Sequence, residues 1–407
     1  MTLYKQIILI FLFSIDGISA FSQKDNTQAF VFSNNVKCNS VTLNYINDRI
    51  YIPVTIENGI ECNLFLDSGI NNVLLDSSFI ARNRTKLNLA INSHNKYYYT
   101  SIDGNYRFYP TLFIWKKNAE RKQSLKIQIG NSIVFEEHPI ASGKRDDAIA
   151  SGIFPLHLLA KDRIANIDVE EKKITLLDKI DNKSDSIHFE MDPSTSAPSI
   201  NTSIRIHAND TSYLLKGPFL LDLGFRGDLV LSESVLKNQL NKVPNQEFSY
   251  ASATIGNVST VKESYNISLD IDNIHTKNAT IVYSKSLPPN IRGIIGMGIL
   301  KHLNFAVDYH KHFFHYHMEY PFIQNAPRTV DEKSFGINLI KKSSLLYIGR
   351  IRKGGKADLL GVKVLDRVIK VEDQYVTKEN CDQLLSKLPV NKIIIQSKKG
   401  NIITLQK

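Results

Sequence analysis

Two aspartates stand where their type and surroundings could do chemistry. Asp67 lies in NLFLDSGINNVLLD and Asp222 in FLLDLGF; each breaks an apolar run and each is followed two residues later by glycine. An unpaired carboxylate between strands that read as buried is costly, so each is either a solvated turn residue or is held by hydrogen bonds. One Asp-Ser-Gly alone is ordinary turn chemistry. Two such carboxyl groups brought together are different, because they cannot both ionise. Sharing one proton leaves one to act as a general base and the other as a general acid.

The elements that must position the two acids repeat along the chain. SVTLNYINDRIYIPVTIENGIECNLFLDSGINNVLLDSSFIARN runs strand, strand, apolar run, Asp-x-Gly, apolar run and short helix. SIHFEMDPSTSAPSINTSIRIHANDTSYLLKGPFLLDLGFRGDLVLSESVLKN has the same order, with LLDLGFRGDLVLSESVL aligning on LFLDSGINNVLLDSSFI. The halves also close alike, in AIASGIFPLHLLAKDRIANIDVEEKKITLL and IRGIIGMGILKHLNFAVDYHKHFFHYH, each an apolar-glycine segment, a short helix and a final strand pair. Most of the remaining runs have strand length and strand alternation, which predicts a mainly β body whose helices, SSFIARNR and SESVLKNQL, are short.

On these residues the chain resembles the retropepsin-like aspartic proteases in their single-chain, two-lobed form, over roughly residues 36 to 318. The resemblance implies two β-barrel lobes, residues 36–178 and 185–318, each giving one catalytic aspartate. Asp67-Ser68-Gly69 matches the family's loop in full; Gly152 and Gly293 look like the glycines of the segments that pack behind the loops. The implied reaction is peptide-bond hydrolysis by a water that one carboxylate activates while the other, protonated, donates to the carbonyl oxygen, without metal or organic cofactor. Such a pair titrates as a unit, so neither Asp67 nor Asp222 is assigned one role. The second loop departs from the pattern: Leu223 replaces the hydroxyl residue that ties the two loops together, and Gly224 follows it. Pro155 likewise stands where the family has a second glycine, whereas Gly296 keeps it. Two polar hairpins, Tyr99 to Arg107 and Tyr250 to Thr260, occupy the places of flaps over the cleft. The competing reading is a catalytically degenerate peptide-binding or scaffold protein that keeps the fold.

After YPFIQNAPRT, which makes residues 319–330 a linker, the pattern changes to strands alternating with two short helices, at Lys356 to Leu360 and Lys378 to Leu388. Residues 331–407 resemble a small α+β PDZ domain of the bacterial type. Ser334-Phe335-Gly336-Ile337 looks like the carboxylate-binding loop, and KADLLGVKVLDRVIKVED looks like the family's Ala-x-x-x-Gly-Leu-x-x-Gly-Asp stretch with Leu365 in place of the glycine before Asp366. The implied ligand is a C-terminal or extended peptide. Amides of Phe335, Gly336 and Ile337 would hold its carboxylate, and its backbone would add as a strand beside INLI.

Length and composition set the bounds of these readings. With 407 residues the chain exceeds one core, and 43% apolar, 9% aromatic and 22% charged residues describe a globular protein. The formal charge of +10 is scattered in short clusters, so nucleic acid is not an expected partner. Lys5, the run IILIFLFSI and the small residues of GISAFSQ read as a signal peptide over residues 1–22, giving an exported protein that is periplasmic, envelope-associated or secreted. Of three cysteines, Cys38, Cys62 and Cys381, one bridge at most can form, Cys38 to Cys62 being the pair expected. In HKHFFHYH, His310 and His312 would share one strand face and His315 and His317 the other; no His-Glu-x-x-His or nearby cysteine supports zinc. GIIGMG lacks the Lys-Ser/Thr of a phosphate loop. A monomer is expected, since both aspartates lie in one chain.

Overall fold

The computed structural model describes residues 31–32, 40–87, 89–100, 106–116, 125–130, 133–137, 140–142, 149–161, 163–180, 185–191, 197–208, 211–234, 243, 245–251, 258–285, 287, 290–317, 322–325, 335–342, 345–386 and 390–407. The signal segment, Ser334, Cys38, nearly all of the linker and the tips of both expected flap hairpins lie outside the described residues.

The fold is mainly β, and its strand order repeats. In the first half Arg49–Ile56 pairs antiparallel with Ile60–Asp67, which runs parallel to Gly152–Pro155. That strand pairs antiparallel with Leu74–Asp76, which runs parallel to Ile140–Ser142. In the second half Pro198–Ala208, Thr211–Asp222, Gly293–Gly296, Leu229–Ser232 and Ile274–Ser284 make the same four pairings in the same senses. The apolar alternation that marked these runs is spent on one large core. Ile50, Ile52, Leu64 and Leu66 from the first half and Ile204, Phe219, Leu229 and Ile281 from the second are buried in the same hydrophobic cluster.

The halves meet in a six-stranded antiparallel sheet. Its order is Ser40–Thr42, Lys173–Leu177, Ile164–Asp168, Asn304–Asp308, Phe313–His317 and Asp185–Met191. Three strands come from each half, and the junction pairs Ile167 with Phe305.

Local chemistry explains the helix after the first loop, Ser77–Leu87. The buried Asp76 accepts the Ser78 N–H at 2.7 Å and the Phe79 N–H at 3.2 Å, an N-cap that satisfies donors the helix cannot. Of the counterpart expected over SESVLKNQL, Ser232 ends a strand, residues 233–234 turn, and 235–240 lie outside the described residues. A correction concerns the histidines. His310 and His312 sit in the turn between Asn304–Asp308 and Phe313–His317, not on a strand face with His315 and His317. His312 takes a positive φ of 58° and stacks on Phe189, with ring centroids 5.4 Å apart.

Residues 335–407 close their own apolar cluster, which includes Phe335, Ile348, Val368, Leu384 and Ile395. Its strands are Ile337–Lys342, Leu345–Arg352, Arg367–Val371, Lys392–Gln396 and Ile402–Gln406, and its helices are Lys356–Leu359 and Cys381–Ser386. The second helix is shorter at its start than the expected Lys378, because residues 378–380 form a turn in which Asn380 Oδ1 accepts the Thr377 N–H. Cys62 and Cys381 are free thiols, and Cys38, the partner expected for Cys62, lies outside the described residues. Among the described residues no helix is long and apolar enough to cross a membrane.

Candidate active site

Asp67 ends the strand Ile60–Asp67 and Asp222 ends the strand Thr211–Asp222. Each strand lies between two others, so each carboxylate is carried to the rim of a stiff sheet. The turn after each acid is then closed the same way: the Gly69 N–H donates to Asp67 Oδ1 at 2.7 Å, and the Gly224 N–H donates to Asp222 Oδ1 at 2.7 Å.

The two carboxyl groups converge. A Cβ on Gly224 would stand 2.8 Å from Asp67 Oδ2 and 2.9 Å from Asp222 Oδ1, and a Cβ on Gly69 would stand 3.3 Å from Asp67 Oδ1 and 3.7 Å from Asp222 Oδ1. Acids 155 residues apart in sequence therefore share one site, and Gly224 is required for close approach. Burial, and after it the charge of Asp67, push the Asp222 carboxyl well above the ordinary carboxylate range; the N–H groups of Gly224 and Phe225 pull it the other way.

Ser68 is the bond between the loops. Its buried Oγ donates to the Leu221 carbonyl at 2.8 Å and accepts the Leu223 N–H at 3.1 Å. Leu223 contributes only its backbone to this contact, and its side chain, 2% exposed, packs into the main core. The two loops are thus joined by the Ser68 hydroxyl on one side, while the equivalent position on the other is filled by apolar packing.

The expected backing glycines lie behind the loops. Gly152 pairs with Leu75 and Gly293 with Leu231, and a Cβ would meet Leu74 O at 2.0 Å in the first case and Val230 O at 2.3 Å in the second. Pro155 pairs with Asp67 as Gly296 pairs with Asp222. Gly296 has no room for a Cβ, which would lie 2.4 Å from Phe225 Cδ1 and from Gly227 O. At the position of Phe225 the first half has Ile70, and Pro155 is accommodated there fully buried.

Two further groups near the site carried no sequence signal. Tyr309, at the end of Asn304–Asp308, has a buried hydroxyl without a hydrogen-bond partner, and burial followed by the charge of Asp67 pushes its phenol up. Asp228, six residues after Asp222, is buried and accepts the Thr280 N–H at 2.7 Å and the Asn325 amide at 3.2 Å, bracing the second loop. No group of three or more His, Cys, Asp or Glu among the described residues is arranged to hold a metal ion.

The peptide-loop residues Phe335, Gly336 and Ile337 are not near the aspartates in sequence or in sheet order. They open the strand Ile337–Lys342, with Gly336 at a positive φ of 71°. No protein-family model matches the chain, and no curated protein matches it.

Proposed function

We propose that this chain is an exported aspartic endopeptidase that cleaves peptide or protein substrates, and that residues 331–407 form a PDZ-like peptide-binding module. The observation that carries the reading is the convergence of Asp67 and Asp222 on one point from two loops of matching geometry. The repeated strand order and the Ser68 bond between the loops add support to a retropepsin-like arrangement of two lobes. In the proposed reaction the pair holds one proton: the ionised carboxyl takes a proton from water as it attacks the scissile carbonyl, and the protonated one donates to the developing oxyanion. The raised Asp222 carboxyl suits a pair that stays singly protonated towards neutral pH.

The module reading draws on Leu365. The resembling family has glycine there, and Leu365 adopts a positive φ of 68°, the left-handed region that glycine favours. The second reading, a degenerate peptide binder, is favoured by one observation, the apolar Leu223 in place of a bridging hydroxyl.

The test is cleavage of a diverse peptide library by residues 23 to 407, from about pH 4 to 7, beside Asp67→Asn and Asp222→Asn. Loss of the same cuts in both variants is expected. A folded parent that makes no cuts moves the assignment to peptide binding.

A further inference from the structure

The C-terminal module is sewn into the second half of the protein by a strand. Leu345–Arg352 pairs antiparallel with Gln246–Ala251, matching Phe248 with Arg352, Ser249 with Ile351 and Tyr250 with Arg350. The Lys353 N–H continues the ladder to the Glu247 carbonyl at 2.9 Å, and Lys353 Nζ reaches Glu247 Oε1 at 2.8 Å. Backbone pairing fixes register and direction, which a flexible tether would not.

Side chains lock the same junction. Arg350 Nη2 donates to Glu263 Oε2 and to Tyr265 Oη, each at 2.6 Å, and Tyr265 Oη donates to Glu263 Oε2 at 2.5 Å. The guanidinium carbon lies 3.7 Å from the centroid of the Phe248 ring. Glu263 is 7% exposed, and Arg350 is the cation paired with it in this buried setting. Phe248, Glu263 and Tyr265 all belong to one hairpin, Gln246–Ala251 with Val258–Ile271.

On its other side Leu345–Arg352 pairs with Ile337–Lys342, whose far edge carries no strand among the described residues. Helix Cys381–Ser386 lies beside that strand, tied by Lys341 Nζ to Asp382 Oδ2 at 2.5 Å. From the open edge one hydrogen-bonded ladder runs through Leu345–Arg352, the Gln246–Ala251 hairpin, Ile274–Ser284, Leu229–Ser232 and Gly293–Gly296 to the strand that ends at Asp222.

We infer that the C-terminal module regulates the Asp222 half of the site: an extended peptide added to the edge of Ile337–Lys342 is read by the Gln246–Ala251 hairpin through Leu345–Arg352 and the Arg350 clamp. The inference rests on the peptidase reading for its effect on turnover, and on the sheet alone for its mechanical part. A peptide that pairs with Ile337–Lys342 adds backbone bonds at one end of a ladder whose next strand is already a rung of the catalytic half's sheet. Opening of the ladder therefore costs more once the edge is occupied. The coupling is reciprocal, so a substrate that binds against the hairpin strengthens peptide capture at the module.

The experiment compares the full exported chain with Arg350→Ala and with Arg350→Lys, which keeps the charge but loses the planar guanidinium that lies on the Phe248 ring while Nη2 bonds Glu263 and Tyr265. Hydrogen exchange is followed in residues 246–251, 258–264 and 337–342, with peptide cleavage in parallel. Both variants are expected to speed exchange by about tenfold or more in all three segments. KM should rise severalfold while the pH profile of kcat stays in place. Faster exchange confined to 337–342, with 246–251 and 258–264 unchanged, overturns the inference. If Arg350→Ala also exposes the strand Arg49–Ile56 of the other half, it has unfolded the protein generally, and Arg350→Lys decides. A parent that cleaves nothing refutes the peptidase reading, while the exchange result still decides the coupling.

Discussion

At the scale of single residues, Ser68 and Leu223 hold equivalent places in the two loops, and only Ser68 carries a side-chain bond across. Ser68→Ala leaves the Leu221 carbonyl and the Leu223 N–H without that partner in a buried setting, at a cost of about 1–3 kcal/mol. The urea midpoint should fall at unchanged slope, and Ser68→Thr, which keeps the hydroxyl, should not show the drop. Asp222 makes a prediction with a definite sign. Its carboxyl is raised in the folded protein above the ordinary 3.8, so between those values the native state binds more protons than the unfolded state. Stability therefore falls as pH rises through that window. Asp222→Asn removes the penalty: its thermal midpoint should gain on the parent progressively from about pH 3 upward and level off above the raised value. A flat difference would show that the carboxyl is not raised. The acids themselves were legible in the sequence because each breaks an apolar run before a glycine. Tyr309 and Asp228 were not, since a buried tyrosine at a strand end and an aspartate in a turn look ordinary until distant chain packs on them.

At the scale of elements, the glycines that back the loops argue the repeat in physical terms. Gly152 and Gly293 both lie where a Cβ would meet a carbonyl oxygen of the strand beside them, at 2.0 Å and 2.3 Å. Gly293→Ala must push Gly293–Gly296 away from Leu229–Ser232, and with it the strand that ends at Asp222. The expected loss is about 1–3 kcal/mol by chemical denaturation, with kcat falling more than KM worsens, because the substitution misplaces a reacting group and leaves the outer cleft alone. Equal loss in kcat and KM would put the damage elsewhere. The paired order of these strands was readable from the spacing of apolar runs and glycines. Ends of elements were not: HKHFFHYH reads as one alternating strand, yet His310 to His312 lie in the turn of the strand pair, because a turn with one residue at positive φ leaves little mark in a run of aromatic residues. The clamp at Arg350 was equally hidden, as Arg, Glu, Tyr and Phe become a site only when strands about 100 residues apart pair.

At the scale of the whole molecule, one chain completes the site because the six-stranded sheet fastens the halves before any partner is needed. Strands Ile164–Asp168 and Asn304–Asp308 pair over four residues, and Lys301 Nζ adds an ion pair to Asp48 Oδ1 at 2.9 Å. A single ion pair that is only partly buried is worth little, so the sheet and the common apolar core carry the union. This arrangement separates two ways of assembling a dyad. If Asp67 and Asp222 of the same chain act together, an equimolar mixture of Asp67→Asn and Asp222→Asn proteins has no more activity than either alone, since every molecule lacks one acid. If two copies instead joined through their first halves, Asp222→Asn would keep full activity as a dimer and Asp67→Asn would have none. Light scattering on the eluting peak belongs beside the assay: a mass below the 46.1 kDa of the whole chain, with both variants inactive and no rescue on mixing, is the outcome expected from the geometry. Activity in the Asp222→Asn protein at twice that mass would remove Asp222 from the reaction and leave Leu223 as the trace of a half that only binds.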